Sequence, residues 1–115
     1  MQGRINRKKL QALAVPQRPE EDPVCPLCDR PIPKAQQDAH HLLPKSRGGV
    51  STVLMHRLCH RQIHALLTEA ELERSYQSLE ALRLHPEIAR FIDWVRHKPD
   101  SFYQRTRKSQ RLRSG

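Results

Sequence analysis

Aromatic residues and long apolar runs are scarce in this sequence of 115 residues. Only one Trp, two Tyr and two Phe are present, which restricts the size of a conventional hydrophobic core. No stretch approaches the roughly 20 apolar residues that a membrane-spanning helix needs, and the N-terminus lacks the apolar segment of a secretory signal. We therefore expect a small cytoplasmic protein without membrane association, in which something besides the core contributes stability.

Cysteine is also scarce, and its count is odd. Three cysteines in a reducing compartment argue against a disulfide framework. Cys25 and Cys28 form a Cys-x2-Cys pair, with two residues between the cysteines, and His56 and Cys59 have the same spacing. Thiolates and imidazoles in a closed set of four suit a tetrahedral Zn²⁺, whose binding contributes about 10 kcal/mol or more to folding in small domains. We predict a structural zinc ion on these four residues, with His60 as an alternative to His56.

Acidic residues are absent from both ends of the chain, where the whole positive excess of nine lies. Residues 11–100 hold equal numbers of basic and acidic side chains, whereas residues 1–10 and 101–115 hold basic ones only. Basic segments beside a neutral body are typical of proteins that bind nucleic acid, because each phosphate contact releases counterions. Phe102 and Tyr103 precede the last arginines and add possible stacking surface. For residues 1–10, a solubilising tail is an equally simple interpretation.

The segment that contains both metal-ligand pairs is typical of two strands followed by a helix. The strands are predicted over 38–43 and 51–55, and Lys-Ser-Arg-Gly-Gly at 45–49 forms the loop between them. A helix is predicted over 57–67, because apolar residues and histidines fall on one side of it at helical spacing. Cys25 to Pro33 is typical of a metal knuckle that precedes the first strand.

The remaining sequence is typical of helices. Thr68 with Glu71 three residues later predicts a capping box and a helix from about residue 69 to about residue 84. Its candidate core positions are Leu72, Leu79 and Leu82. Pro86 suits the first turn of a further helix, whose apolar stripe ends before Pro99. The chain is therefore predicted to be α+β, in four segments: a basic arm (1–23), a core (24–67), an extension of two or three helices (68–100) and a basic tail (101–115).

Histidines are concentrated in the predicted hairpin and the helix that follows it. His60 and His64 lie one helical turn apart, a spacing at which two imidazoles bind the same metal ion. His40 supplies a third ligand and leaves positions open for water and substrate, as a catalytic site requires. His41 points to the opposite side in ideal strand geometry, so local distortion decides whether it faces the same cleft. From spacing alone, a second structural zinc site is the alternative.

The stretch HHLLPKSRGG at 40–49, followed by LCHRQIH at 58–64, resembles the HNH endonuclease family. The resemblance extends from Cys25 to about Leu67, and the zinc pairs are similar to those of cysteine-bearing members. It implies a ββα-metal (His-Me finger) core, a hairpin packed on a helix around one ion, and cleavage of DNA to 3′-hydroxyl and 5′-phosphate ends. The sequence departs from the family pattern at two positions. Ser51 replaces the middle Asn or His, and His56 replaces a cysteine.

The resemblance also implies a role for each histidine. His41 matches the general base that removes a proton from water, a task that suits an imidazole because its ordinary pKa is about 6.5. His40 and His60 match metal ligands, and His64 matches an additional ligand of the colicin-like branch. Because imidazole is a relatively soft ligand, the site favours Zn²⁺, Ni²⁺ or Co²⁺. The concentrations of metal ions in the cell can override this preference, so Mn²⁺ and Mg²⁺ are also candidates for the catalytic ion.

Basic and polar side chains beside these motifs complete the predicted site. Arg61, adjacent to a ligand on the helix, and Ser51 are assigned to the catalytic set. Contacts with DNA phosphates are predicted for the remaining basic residues near the motifs and in the tail: Lys45, Arg47, Arg57, Arg105, Arg107 and Lys108.

We therefore predict a metal-dependent DNA endonuclease, either a monomer or a homodimer. The first alternative is a non-catalytic zinc module that binds nucleic acid through its basic segments. A second is an adaptor that docks a partner on the apolar stripe between Ile88 and Val95, which includes Trp94. We rank the adaptor lower, because such a stripe is more simply explained by a helix that packs on its own domain.

Overall fold

The computed structural model describes residues 22–114, so the predicted basic arm lies almost entirely outside the described residues. The fold is α+β, as the sequence predicted, with a two-stranded sheet followed by helices. None of the helices in this part of the chain is long and apolar enough to cross a membrane. The elements are β1 (Gln37–His41), β2 (Thr52–His56), α1 (Arg57–Leu66), α2 (Glu69–Ser75), α3 (Leu79–Leu84), α4 (Pro86–Val95) and α5 (Gln110–Ser114).

The loop between β1 and β2 depends on its two glycines. One turn of 3-10 helix (Lys45–Arg47) ends at Gly48, whose φ of 91° lies in the left-handed region. A Cβ on Gly49 would lie 1.7 Å from the carbonyl oxygen of Leu43, so no larger residue fits there without a backbone shift. The loop returns the chain in an antiparallel register that pairs His40 with Val53.

A tight turn before β1 forms the predicted knuckle. The Cys25 amide donates to the Arg30 carbonyl at 2.9 Å, and the Asp29 amide donates to the Cys25 carbonyl at 2.8 Å. Asp29 has a positive φ of 64°, a conformation that Asp tolerates better than most residues. The turn therefore presents Cys25 and Cys28 on the same side.

Helix α1 lies at the centre of the molecule, where it contacts both strands and α4. Its apolar side chains Leu58 and Ile63 are almost fully buried, while His60 and His64 are only partly buried. The helix thus contributes one face to the core and a second to a cleft. The core residues exposed by 2% or less include Leu27, Ile32, Met55, Leu58, Ile63, Leu72, Leu82, Ile88 and Val95.

The single helix predicted from residue 69 to residue 84 is wrong, because the chain forms two helices there. The capping box is present: Thr68 Oγ1 accepts from the Glu71 amide at 3.1 Å, and Glu71 accepts from the Thr68 amide at 2.9 Å. However, α2 ends at Ser75, and Ser78 starts α3 by accepting a hydrogen bond from the Ala81 amide at 3.0 Å. Serine is a preferred N-cap, so this second start signal outweighs the continuous apolar spacing.

Helix α4 and the candidate core leucines of α2 and α3 follow the prediction more closely. Pro86 occupies the first turn of α4, which ends at Val95. Leu72 and Leu82 are buried as predicted, whereas Leu79 is only partly buried.

The segment after α4 packs against the domain. Phe102 and Tyr103, whose rings were predicted to offer stacking surface, are partly buried against the core. The Phe102 ring meets Trp94 edge-on at 5.7 Å between centroids, and the Arg57 guanidinium lies 5.0 Å from the centre of the Tyr103 ring. The rings therefore help to hold this segment in position.

Candidate metal centres and the histidine cleft

Four side chains converge where the knuckle meets β2 and α1. The ligand atoms of Cys25, Cys28, His56 and Cys59 all lie within 4.8 Å of one another, and all four residues are buried. We call this group the cysteine cluster. It has the composition and spacing to hold a metal ion, and it contains His56 rather than the alternative, His60. Two ligands come from the turn, one from the last residue of β2 and one from the first turn of α1, so the cluster joins three parts of the fold.

Hydrogen bonds within the cysteine cluster shift the pKa values of its members. Hydrogen bonds with Cys25 and Cys59 hold the pKa of Cys28 far below its usual range, while hydrogen bonds with Cys25 and Cys28 raise the pKa of Cys59. Burial alone lowers the pKa of His56, but hydrogen bonds with Cys25 and Cys28 outweigh it and raise that pKa to about 9. Because these buried ligand atoms lie close enough to shift one another's pKa, a cation bound among them would displace the protons that they hold.

Hydrogen bonds of two residues, Arg30 and His56, connect the cysteine cluster to its surroundings, and sequence reasoning missed them. The buried Arg30 donates from Nε to Cys28 Sγ at 3.4 Å and from Nη1 to the carbonyl oxygens of Lys98 and Pro99. His56 Nε2 donates to the Asp100 carbonyl at 2.9 Å, so Nδ1, which lies 3.3 Å from Cys28 Sγ, is the ring nitrogen that would bind an ion. The cysteine cluster is thereby tied to the segment that follows α4.

A second group of ligands lies between β1 and α1. The ring nitrogens of His40, His60 and His64 fall within 4.8 Å of one another, and the ring centroids are 4.9 to 5.5 Å apart. We call these three residues the histidine cluster. His40 comes from the inner face of the sheet, and the other two come from successive turns of α1.

The state of His40 indicates what the histidine cluster can do. His40 is fully buried, and neither of its ring nitrogens has a hydrogen-bond partner within the described part of the chain. Burial, with the neighbouring imidazoles of His60 and His64, lowers the pKa of His40 to about 4, and burial also lowers the pKa of His64. These shifts favour the neutral form of the His40 and His64 imidazoles, which is the form that coordinates metal ions. A bound ion would satisfy a buried group that otherwise has no partner.

Asp38 is a further member of the site that sequence reasoning missed. Its Oδ2 accepts from His60 Nδ1 at 2.9 Å, so the other ring nitrogen, Nε2, is left for a ligand. The signal was available, since Asp38 and His40 are two residues apart in a strand and therefore share its inner face.

Replacing Asp38 with alanine is expected to weaken metal binding at the histidine cluster by about 10- to 100-fold, because His60 loses the group that orients its ring. Titration with a competing chelator dye would measure this affinity, and the metal content of the cysteine cluster should not change. Asp93→Ala, which removes an exposed carboxylate on α4, is the matched control. Equal affinity in the two variants would exclude the orienting role.

Two cavities flank the histidine cluster, and both are lined by His60 and His64. The first, of about 310 Å³, is also lined by His41 and Lys45. The second, of about 320 Å³, is lined by Arg61 on the same helix. Neighbouring residues of a strand normally point to opposite faces of the sheet. His41 nevertheless lines the first cavity, beside the cluster that contains His40, because it is the last residue of β1.

The other predicted site residues differ in position. Lys108 lines the second cavity. Arg47 forms an ion pair with Glu73 at 3.3 Å, and Arg57 covers the Tyr103 ring. Three more are exposed and do not line the two cavities: Ser51, Arg105 and Arg107.

Comparison with known proteins relates this chain to one bacterial relative. No family model matches the chain, and no solved structure matches it. The uncharacterized protein YisB of Bacillus subtilis (strain 168) is 41% identical over 88 residues, which cover 75% of this chain and 86% of that protein. The chain therefore belongs to the same family as Bacillus subtilis YisB.

Proposed function

We propose that this protein is a metal-dependent HNH-type endonuclease that hydrolyses DNA phosphodiester bonds. The observation that carries the proposal is the arrangement of four histidines: a buried three-imidazole cluster, and beside it His41 on a cavity that His60 and His64 also line. The order of elements supports it as well, because β1, β2 and α1 follow one another as the strands and helix of a ββα core do.

The two clusters suit different metal roles. The cysteine cluster is closed and buried, which is typical of structural zinc. The histidine cluster has three ligands and adjoining cavities, which leaves coordination positions for water and substrate. When bound there, a divalent ion supplies polarisation of a phosphoryl oxygen and stabilisation of charge on the leaving oxygen. Imidazole ligands favour Zn²⁺, Ni²⁺ or Co²⁺, with Mn²⁺ and Mg²⁺ as further candidates.

The protein's own residues then supply the base and the contacts with substrate. A ring nitrogen of His41 accepts a proton from the attacking water, a contribution of about 100- to 10,000-fold for a positioned general base. Lys45 lines the same cavity as His41, where its ammonium binds phosphate oxygens. Contacts of this kind bind the DNA backbone irrespective of base sequence.

A supercoiled-plasmid assay with Mg²⁺, Mn²⁺, Ni²⁺, Co²⁺ and Zn²⁺ in turn tests the proposal. The wild type is expected to nick the plasmid with at least one ion, and His41→Ala to lose about 100-fold or more of that rate, since the general base is removed. Zinc content and DNA binding should be unchanged in the variant. His97→Ala, which removes an exposed histidine after α4, should cleave like the wild type.

Two results would contradict the proposal. An absence of wild-type cleavage with all five ions, with DNA still bound, would favour the non-catalytic zinc module. Equal rates for His41→Ala and the wild type would exclude His41 as the base.

A further inference from the structure

The C-terminal segment crosses the end of the helix that carries the histidines. We call residues 104–112 the C-terminal strap. The Ser109 amide donates to the Ala65 carbonyl at 2.8 Å, and Arg111 Nη2 donates to the Leu66 carbonyl at 2.7 Å. Both carbonyls belong to the last turn of α1, where carbonyl groups have no partner within the helix. The strap therefore caps α1, and the Arg111 cation lies at the negative end of the helix dipole.

A second contact fixes the strap to α2. Arg111 Nη2 lies 2.9 Å from Glu71 Oε1, and the same carboxylate accepts from the Thr68 amide in the capping box. The hydrogen bond from Arg111 is the main reason that the pKa of Glu71 falls to about 2. Because Arg111 contacts the end of α1 and the start of α2 together, the strap has a defined position over the helix.

That position brings the strap to the histidine cluster. Lys108 and Thr106 line the cavity of about 320 Å³ that Arg61, His60 and His64 also line. The cavity has one carboxylate, that of Asp38, which already accepts from His60. Within the described residues, neither Lys108 nor Arg61 has an ion-pair partner. Two cations that have no ion-pair partner among residues 22–114, and a hydroxyl group, thus line one cavity beside the histidine cluster.

We propose that the strap builds a phosphate-binding wall of the cleft, in which Lys108 and Arg61 together bind the DNA backbone next to the histidine cluster. An ammonium, a guanidinium and a hydroxyl group are the side-chain groups that bind phosphate oxygens through charge-assisted and neutral hydrogen bonds. His41 lines the other cavity that His60 and His64 share, so the base and the phosphate-binding cations both lie beside the cluster. This inference rests on the proposed function for its substrate.

Lys108→Ala, compared with Lys34→Ala, tests the wall. Both variants remove one lysine charge, but Lys34 is exposed in the turn before β1. Both are made in the His41→Ala protein, and binding to a fluorescein-labelled DNA duplex is measured by anisotropy at several salt concentrations. Lys108→Ala is expected to weaken binding about 5- to 10-fold and to reduce the salt slope by about one. Lys34→Ala should change the affinity by less than about twofold, because it removes only a distant charge.

Glu71→Gln tests whether the strap must be held in position. Glutamine keeps the capping box, but the substitution removes the negative partner of Arg111 and makes the protein more positive. General electrostatic attraction predicts tighter DNA binding by this variant, whereas loss of the anchor predicts weaker binding, and we expect the weaker. Circular dichroism checks that the helices are retained.

Several outcomes separate this inference from the proposed function. Equal affinity of the Lys108 and Lys34 variants for DNA, or tighter DNA binding by Glu71→Gln, would contradict the proposed phosphate-binding wall. Weaker binding by Lys108→Ala, together with a wild type that cuts no plasmid with any of the five ions, would support the wall and contradict the nuclease. Plasmid cleavage by the wild type, with Lys108→Ala equal to Lys34→Ala in affinity, would support the nuclease alone.

Discussion

Replacing Cys59 with serine is expected to leave the domain largely unfolded at 25 °C. Cys59 is fully buried in the cysteine cluster, and a hydroxyl group is a poor substitute for a thiolate in a structural zinc site. Loss of a structural zinc ion removes on the order of 10 kcal/mol, which is comparable with the whole net stability of a typical domain. Far-UV circular dichroism, urea titration and the zinc-to-protein ratio would measure the loss.

His64→Ala is the control for this prediction, because it also removes one candidate ligand but from the histidine cluster. We expect that variant to keep its helical signal, a cooperative urea transition and one equivalent of zinc. A cooperative transition of wild-type midpoint in Cys59→Ser would show that the cysteine cluster is not needed for folding.

The expected size of this effect follows from where the cysteine cluster lies. Cys25, Cys28 and Cys59 belong to the same buried group as Ile32 and Met55. An ion there would link the turn, β2 and α1, which are otherwise held together by a small number of aliphatic side chains. The outer contacts of Arg30 and His56 extend that link to residues 98–100. Metal coordination at this cluster would thus compensate for the scarcity of large apolar residues.

Much of the fold could be predicted because its signals are local. The capping box at Thr68, Pro86 in the first turn of α4 and the paired glycines of the loop each act within a few residues. The break between α2 and α3 was missed because two local signals compete there. Apolar spacing favours continuation, whereas Ser78 favours a new start.

The candidate site was predictable only in part, because several of its contacts join distant residues. The histidine spacing indicated a cluster, but whether His56 or His60 completes the cysteine cluster depends on how the turn packs on α1. Arg30 contacts a carbonyl 68 residues later, and Arg111 contacts a carboxylate 40 residues earlier. No sequence pattern marks such pairs. The position of His41 similarly depends on the geometry of a strand end, which residue alternation does not determine.

Replacing His40 with leucine is expected to abolish cleavage. It is also expected to raise the free energy of unfolding when zinc is bound only at the cysteine cluster. His40 is fully buried and both of its ring nitrogens lack partners within the described residues. An unsatisfied buried polar group costs about 1–3 kcal/mol, and leucine fills a similar volume without such a group. Cleavage should fall to background because the histidine cluster keeps only two ligands. Urea titration with one equivalent of zinc per protein, and the plasmid assay, would measure the two effects.

The metal dependence of this effect makes the test sharper. Ions that bind the histidine cluster stabilise the wild type, by about 2.7 kcal/mol at a free concentration of 100 Kd, but they should not stabilise His40→Leu. The order of stability of the two proteins is therefore expected to reverse as further metal is added. His97→Leu, which changes an exposed histidine, should follow the wild type throughout. A His40→Leu protein that is less stable than the wild type at one equivalent of zinc would show that the His40 imidazole is already satisfied without an ion.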